Sequence, residues 1–214
     1  MDPDRQWWLR VPAVLLSPRS VFVALRNESR EDVEARSEPV LALVCLAGVA
    51  VALGTSTART LYDDLEYDAL LVAVWAVIAG GIVAFAGYFI VGGALYLGAR
   101  GLGSEGSFRR ARHVLGFAVA PLALSLLLLW PVQLALFGTD RFRRFGSDEG
   151  GAGQAFDVLE LGFAAWSAAL LLVGVRAVHG WGWGRSLAAL GLVALFIAAY
   201  AALPSLLRDS TLGL

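Results

Sequence analysis

Four long stretches of the sequence contain no charged side chain, and this feature constrains the fold more than any other. They run over residues 39–58, 69–99, 113–139 and 186–207. Each is longer than the ~18 residues that a helix needs to cross the hydrocarbon core of a bilayer. Inside a bilayer only helices and closed barrels satisfy their own backbone hydrogen bonds. The sequence therefore predicts a membrane protein built from apolar helices.

A fifth stretch, residues 161–175, is uncharged over a shorter length. It becomes a span over 155–178 if Glu160 and Arg176 reach the interfaces near its ends. We therefore predict an all-α, polytopic membrane bundle preceded by a cytoplasmic arm at residues 1–38, with an interfacial amphipathic helix in the arm. The transmembrane domain at 39–207 has five predicted spans, at about 39–58, 69–98, 113–137, 155–178 and 186–207.

The composition excludes several other classes of protein. Hydrophobic residues make up 58% of the chain and charged residues 16%, against ~25% charged in soluble domains. Too few polar residues remain to cover a soluble protein of this length. The formal net charge of -1 supplies no basic field for nucleic acid. The lone Cys45 has no internal disulfide partner and lies in an apolar run.

The arm has the pattern of a segment that lies on a membrane. Trp7 and Trp8 suit the headgroup layer, and Ser17 followed by Pro18 is a helix start. The apolar residues of that helix share one face, and its arginines are available to anionic lipid: Val21, Phe22 and Leu25, with Arg19 and Arg26. The alternative is an ordinary loop. Residues 27–38 are predicted to be polar and solvated.

The distribution of arginine predicts the orientation. The chain has 17 cationic residues, all of them arginine: six in the arm, four in residues 100–112 and two in 176–185. Five spans with the N-terminus inside place these 12 in the cytoplasm and five outside, as the positive-inside rule requires. We therefore predict a cell-membrane protein with a cytoplasmic N-terminus and an external C-terminus. The three arginines between residues 141 and 144 are an exception that the sequence does not explain.

Small residues form a stripe along the second span. They recur on one helix face, at Gly80, Ala84, Gly87, Ala94 and Gly98. Small residues let membrane helices approach closely, so the stripe predicts a helix-packing seam. The alternative is a pore or a substrate path along the stripe.

Few residues have the side chains and spacing needed for catalysis, cofactor binding or metal binding. Gly101–Gly106 matches G-x-G-x-x-G, but it lies between apolar spans and lacks the βαβ context of a dinucleotide site, so we predict a flexible loop. His113 and His179 have no Cys, Asp or Glu at metal-ligand spacing. The sequence therefore predicts no catalytic residues, no cofactor and no metal site.

Two further features fall inside predicted spans. Pro121 predicts a kink in the third span, which marks either packing or a binding site. Asp157 and Glu160 are i, i+3 neighbours, for which a proton-coupling role and a snorkelling or capping role are the alternatives.

The order of motifs resembles the bacterial branch of the Yip1 family. The resemblance rests on Ser17–Phe22 before the first span, a G-F-x-x-x-P element in the third span, and a late Trp, Gly and His-Gly series. Phe117 stands where Tyr is more often found. The motif residues are Pro18, Phe22, Gly116, Phe117, Pro121, Trp166, Gly174, His179 and Gly180. The resemblance implies a cytosolic arm, five spans and no catalytic residues.

We expect such a protein to be a membrane-embedded adaptor or organiser. The alternative is a small transporter or lipid-handling carrier, and an intramembrane enzyme is a more distant one. A carrier needs a polar midplane site, for which the sequence offers only Ser125, Gln133 and Ser167. The expected partners are the lipid bilayer and either another membrane protein or anionic lipid. Four arginines either form a basic binding surface or serve only as orientation signals: Arg109, Arg110, Arg112 and Arg185.

Overall fold

A computed structural model describes residues 3–64 and 68–212, which are mostly helical and contain no strand. The helices are α1 Pro3–Leu16, α2 Pro18–Ala24, α3 Arg30–Leu53, α4 Ala69–Ala86, α5 Gly92–Gly101, α6 Phe108–Ala118, α7 Ala120–Phe137, α8 Gly151–His179 and α9 Trp183–Leu212. The prediction of an all-α membrane bundle is confirmed. Residues 1 and 2 of the predicted arm lie outside the described residues.

Four helical stretches are long and apolar enough to cross a membrane. They are Arg30–Leu53, Ala69–Gly101, Phe108–Phe142 and Gly151–His179. The last of these contains the span predicted at 155–178. The apolar part of α9 that the structure describes with side chains, Trp183–Ala199, is shorter than a span, and the side chains of residues 200–207 lie outside the described part. The count of five spans therefore stays a prediction.

The first span begins nine residues before the predicted start. The Ser29 hydroxyl accepts a hydrogen bond from the Asp32 backbone N–H at 3.3 Å, which caps α3. Residues 30–38 are therefore the first turns of α3, and the predicted solvation holds for their exposed face, which includes Arg30 and Glu34, but not for their inward face. Val33 and Ala35 are buried, and Arg36 is 0% exposed, because this part of α3 packs against the arm and α6.

The second span contains a π-helical turn at Gly87–Val91 between α4 and α5. A π turn adds a residue to a helical turn and so rotates the faces that follow it. Before the turn, a Cβ added at Gly80 would lie 2.6 Å from Val49 Cγ2 of α3. After the turn, a Cβ at Gly98 would lie 3.3 Å from the Ala189 carbonyl oxygen of α9. The small-residue stripe thus meets two partner helices rather than one.

The members of the stripe differ in their packing. Ala84 and Ala94 are buried, and Ala84 lies against Gly48 of α3. Gly87 is different, because an added Cβ would meet no atom within 4 Å. It lines an apolar cavity of about 160 Å³ between α3, α4 and α6. The close helix contact expected at Gly87 is therefore absent, since the π turn begins there.

The third span is broken between α6 and α7. Ser107 caps α6 by accepting a hydrogen bond from the Arg110 backbone N–H at 3.1 Å. The helix ends at Ala118, and α7 restarts with Pro121 in its first turn. Proline lacks the N–H of an interior helical residue but fits a first turn. The kink expected at Pro121 is thus a break centred on Val119.

The arm packs on the bundle. Trp7 is 1% exposed, and its indole N–H donates to Asp32 Oδ1 at 3.1 Å while its ring lies 5.7 Å from that of Phe117. Trp7 is therefore enclosed by the protein, whereas Trp8 is exposed, and a position of the arm at the headgroup layer stays a prediction. Helix α2 begins at Pro18, as the sequence predicts, and its apolar face packs against α8.

Candidate functional site

One end of the bundle, which we call the arm end, consists of α1, α2, the start of α3, α6 and the last turns of α8. The buried Arg36 of α3 contacts α6 and the segment that follows α2. Its Nε donates to His113 Nδ1 at 2.7 Å, and its Nη1 donates to the Asn27 carbonyl oxygen at 2.8 Å. A guanidinium group can only donate, so His113 Nδ1 is an acceptor and any single ring proton lies on Nε2. The burial of Arg36 depends on the folded arm, so no local sequence pattern indicated it.

Two motif glycines allow close helix packing at the arm end. A Cβ added at Gly174 of α8 would lie 2.9 Å from a ring carbon of Phe22, which is fully buried. A Cβ added at Gly116 of α6 would lie 2.5 Å from Val40 Cγ1 of α3. Any larger residue would separate these helices. Phe117 is fully buried against Trp7.

The last motif residues form the C-terminus of α8. Gly180 has φ +67°, a conformation that favours glycine, and its N–H donates to the Arg176 carbonyl oxygen. The ring of His179 stacks on Trp181 with 4.4 Å between centroids, and its Nδ1 lies 2.9 Å from the Val175 carbonyl oxygen. His179 therefore has a structural environment at a helix end.

An arginine from the arm completes this helix end. Arg26 Nε and Nη2 donate to the Ala177 carbonyl oxygen at 3.1 and 2.5 Å. These contacts satisfy a terminal carbonyl and oppose the negative end of the helix dipole. Arg26 thus fixes the arm to α8.

Trp166 is separated from the other motif residues. It lies in the middle of α8 and is 39% exposed, next to Phe163 with 6.2 Å between ring centroids. Its outward position requires a different explanation from the packing of the arm end.

The four arginines of the predicted basic surface all lie at the arm end, but their surroundings differ. Arg109 is exposed. Arg110 Nη2 lies 2.9 Å from Glu28 Oε2 of the arm. Arg185 donates to the Leu102 carbonyl oxygen at 3.0 Å through Nε.

Arg112 is enclosed by aromatic rings. Its guanidinium carbon lies 4.9, 4.7 and 4.6 Å from the ring centroids of Tyr88, Phe89 and Phe108. Cation–π contacts of this kind hold α6 against the π turn. Arg110, Arg112 and Arg185 are therefore engaged within the protein.

The opposite end of the bundle has a charge cluster around the buried pair Arg141 and Asp148, which the sequence patterns did not predict. Arg141 is 2% exposed, and its Nη1 lies 2.6 Å from Asp148 Oδ2. Its Nη2 lies 3.5 Å from Asp157 Oδ1 and 3.6 Å from Glu160 Oε1. Asp157 also pairs with Arg59 at 2.5 Å. Two sequence features could have indicated this cluster. They are the arginines after the third span, which the orientation does not explain, and the i, i+3 acidic pair.

Two of the three polar residues predicted at the midplane form hydrogen bonds within the protein, and Gln133 bonds to the charge cluster at the opposite end. Ser125 donates to the Leu122 carbonyl oxygen at 2.8 Å, and Gln133 Nε2 donates to Glu160 Oε1 at 2.8 Å. Ser167 is buried and its hydroxyl has no hydrogen-bond partner. Within the described residues, no group of three or more His, Cys, Asp or Glu side chains could hold a metal ion.

Comparison with known proteins gives one family. No curated protein and no solved structure gives a significant match. The family model of the Yip1 domain matches residues 13–206, which include α2, the broken third span and the end of α8 described above. The chain is therefore a member of the Yip1 domain family of membrane proteins.

Proposed function

We propose that this protein is a membrane-embedded adaptor that holds another membrane protein and performs no catalysis. We also propose that it resides in the cell membrane with the arm in the cytoplasm. The observation that carries the adaptor role is the outward face of α8. Val158, Gly162, Ala165, Trp166 and Ala169 lie on this face at helical spacing and are all exposed.

The outward face of α4 provides the contrast. It presents bulky side chains that suit lipid: Leu70, Val74, Val77, Ile78, Ile82 and Phe85. On α8, small residues surround one large aromatic ring, and an added Cβ at Gly162 would meet no atom of the chain. Small residues favour close approach of a second helix, and tryptophan is a frequent anchor at protein interfaces. This combination supports docking of a partner helix on α8.

The test compares two glycines that have the same surroundings. Gly162 and Gly81 are both exposed, and neither has an atom within 4 Å of an added Cβ. We expect Gly162→Leu and Trp166→Ala to reduce partner recovery in mild-detergent co-purification with mass spectrometry. Gly81→Leu should leave both recovery and melting temperature unchanged. Equal recovery from all three variants would contradict the adaptor proposal at this face.

A carrier for lipids is the second candidate, and the apolar cavity favours it. The cavity of about 160 Å³ adjoins both the π turn and the break at Val119, and interrupted helices are common at transporter sites. A Cβ added at Gly87 would meet no atom within 4 Å, so we expect Gly87→Leu to occupy part of this cavity. A carrier would then lose transfer of a fluorescent phospholipid between the leaflets of proteoliposomes. Absence of transfer by the parent protein would contradict the carrier role.

A further inference from the structure

Three arginines line one groove at the arm end. Arg19 lies on α2, Arg26 follows α2, and Arg176 is in the last turn of α8; together they line a groove of about 340 Å³ with Trp181. No carboxylate lines the groove, and none of the three arginines forms an ion pair within the part of the chain that the structure describes. Like charges facing one space repel each other. An anionic ligand in the groove would offset that repulsion.

Two of the arginines are held in place by the fold. Arg26 is fixed by its hydrogen bonds to the Ala177 carbonyl oxygen, and it covers a helix end that would otherwise repel an anion. The Arg176 guanidinium lies 4.4 Å from the Trp183 ring centroid, and its buried Nε has no hydrogen-bond partner. Arg19 is exposed at the rim, where the groove continues along Ser17–Val23. Guanidinium groups match the geometry of phosphate oxygens.

The position of the groove indicates the source of the phosphate. It lies at the end of a membrane-spanning helix, beside Trp181 and the 51% exposed Trp183, and tryptophan is enriched at membrane interfaces. Val23, Val173 and Ala177 form its apolar wall, which suits the part of a lipid nearest its headgroup. We propose that this groove binds the phosphate group of an anionic phospholipid from the surrounding leaflet.

This site differs from the predicted basic surface. Arg110 and Arg185 already have hydrogen-bond or ion-pair partners in the protein, and Arg112 is enclosed by three rings. Arg19 and Arg176 instead line the groove, and Arg176 contacts one ring, that of Trp183. The proposal does not depend on the adaptor role, because no partner protein takes part. The two ideas can therefore fail separately.

The test counts lipids bound to the full chain by native mass spectrometry in mild detergent. Phosphatidylglycerol is titrated against phosphatidylcholine for the parent, Arg19→Gln, Arg176→Gln and the control Arg109→Gln. The binding free energy that one arginine contributes near a charged leaflet corresponds to a change of about five-fold in the preference for anionic over zwitterionic lipid. We expect each groove variant to lose about that factor in the ratio of anionic to zwitterionic lipid, with Arg109→Gln close to the parent.

Salt and competition identify the ligand. The preference should weaken as ionic strength rises, and millimolar inorganic phosphate should not displace the lipid. Displacement by inorganic phosphate would overturn the lipid assignment. An unchanged ratio in Arg19→Gln, or an equal loss in Arg109→Gln, would overturn the site. Arg19 has an exposed side chain, so its variant tests the proposal even if Arg176→Gln fails to fold.

Discussion

At the scale of single residues, two buried arginines hold the ends of this bundle. Arg36 is 0% exposed and bonds to His113, while Arg141 is 2% exposed and bonds to Asp148. Burying a guanidinium group is costly unless it is paired and hydrogen-bonded. Removal of either arginine would therefore destabilise its surroundings, because its buried hydrogen-bond or ion-pair partners would be left unsatisfied.

Replacement of Arg141 should destabilise the opposite end strongly. Arg141→Leu leaves Asp148 buried without its counter-charge, and breaking a buried pair costs about 3–5 kcal/mol. We expect a lower melting temperature in detergent by several degrees. The control is Arg144→Gln, because Arg144 is exposed and 3.8 Å from Asp63, a type of pair worth at most about 1 kcal/mol. Equal melting of both variants would contradict the buried network.

Replacement of Arg36 should release the arm. Arg36→Leu removes the hydrogen bonds to His113 and to the Asn27 carbonyl oxygen, and bonds to a charged group contribute about 1.5–3 kcal/mol each. Amides of α1 and α2 should then exchange hydrogen at least ten-fold faster. Arg30→Leu is the control, since the Arg30 side chain is 92% exposed and forms a surface pair with Glu34. Unchanged exchange in Arg36→Leu would show that apolar packing alone holds the arm.

At the scale of helices, irregular turns decide which faces meet. The π turn at Gly87–Val91 directs α4 towards α3 and α5 towards α6 and α9. The break at Val119 changes the partners less, because α6 packs on α5, α8 and α3, whereas α7 packs on α3 and α8. One span can therefore contribute to two seams, and the effect of a substitution depends on its side of the irregular turn.

Gly80, which lies before the π turn, and Gly87, which begins it, should respond differently to replacement by leucine. Gly80→Leu places atoms where Val49 lies 2.6 Å from a Cβ, and overpacking costs about 1–3 kcal/mol or more. Gly87→Leu meets open space. Thermal melting in detergent should show a loss for Gly80→Leu only. A larger loss for Gly87→Leu would mean that the stripe is one continuous seam.

At the scale of the whole molecule, the arm and the bundle form one unit with two different ends. Arginines dominate the arm end, and the opposite end holds acidic side chains around Arg141. The positive-inside rule predicts that the arginine-rich end lies in the cytoplasm. The predicted five spans would place the two termini on opposite sides of the membrane.

The orientation can be measured by cysteine labelling. In a Cys45→Ala background, Asp2→Cys and Leu212→Cys should react with a membrane-impermeant reagent from opposite sides of the membrane. The background change is needed because Cys45 is a free, exposed thiol. Labelling from the same side would mean an even number of spans. In that case α9, whose described apolar part is shorter than a span, would not cross the membrane.

Sequence alone was enough for the fold class, because an uncharged stretch longer than a bilayer core has few alternatives to a spanning helix. It also predicted the α2 start at Pro18 and an interruption near Pro121, since proline acts through local backbone geometry. Tertiary structure decided the rest. The burial of Trp7 and Arg36, the pairing of Arg141 with distant carboxylates and the open space at Gly87 all depend on contacts between helices far apart in the chain. A helical period shows which residues share a face, but only packing determines what that face meets.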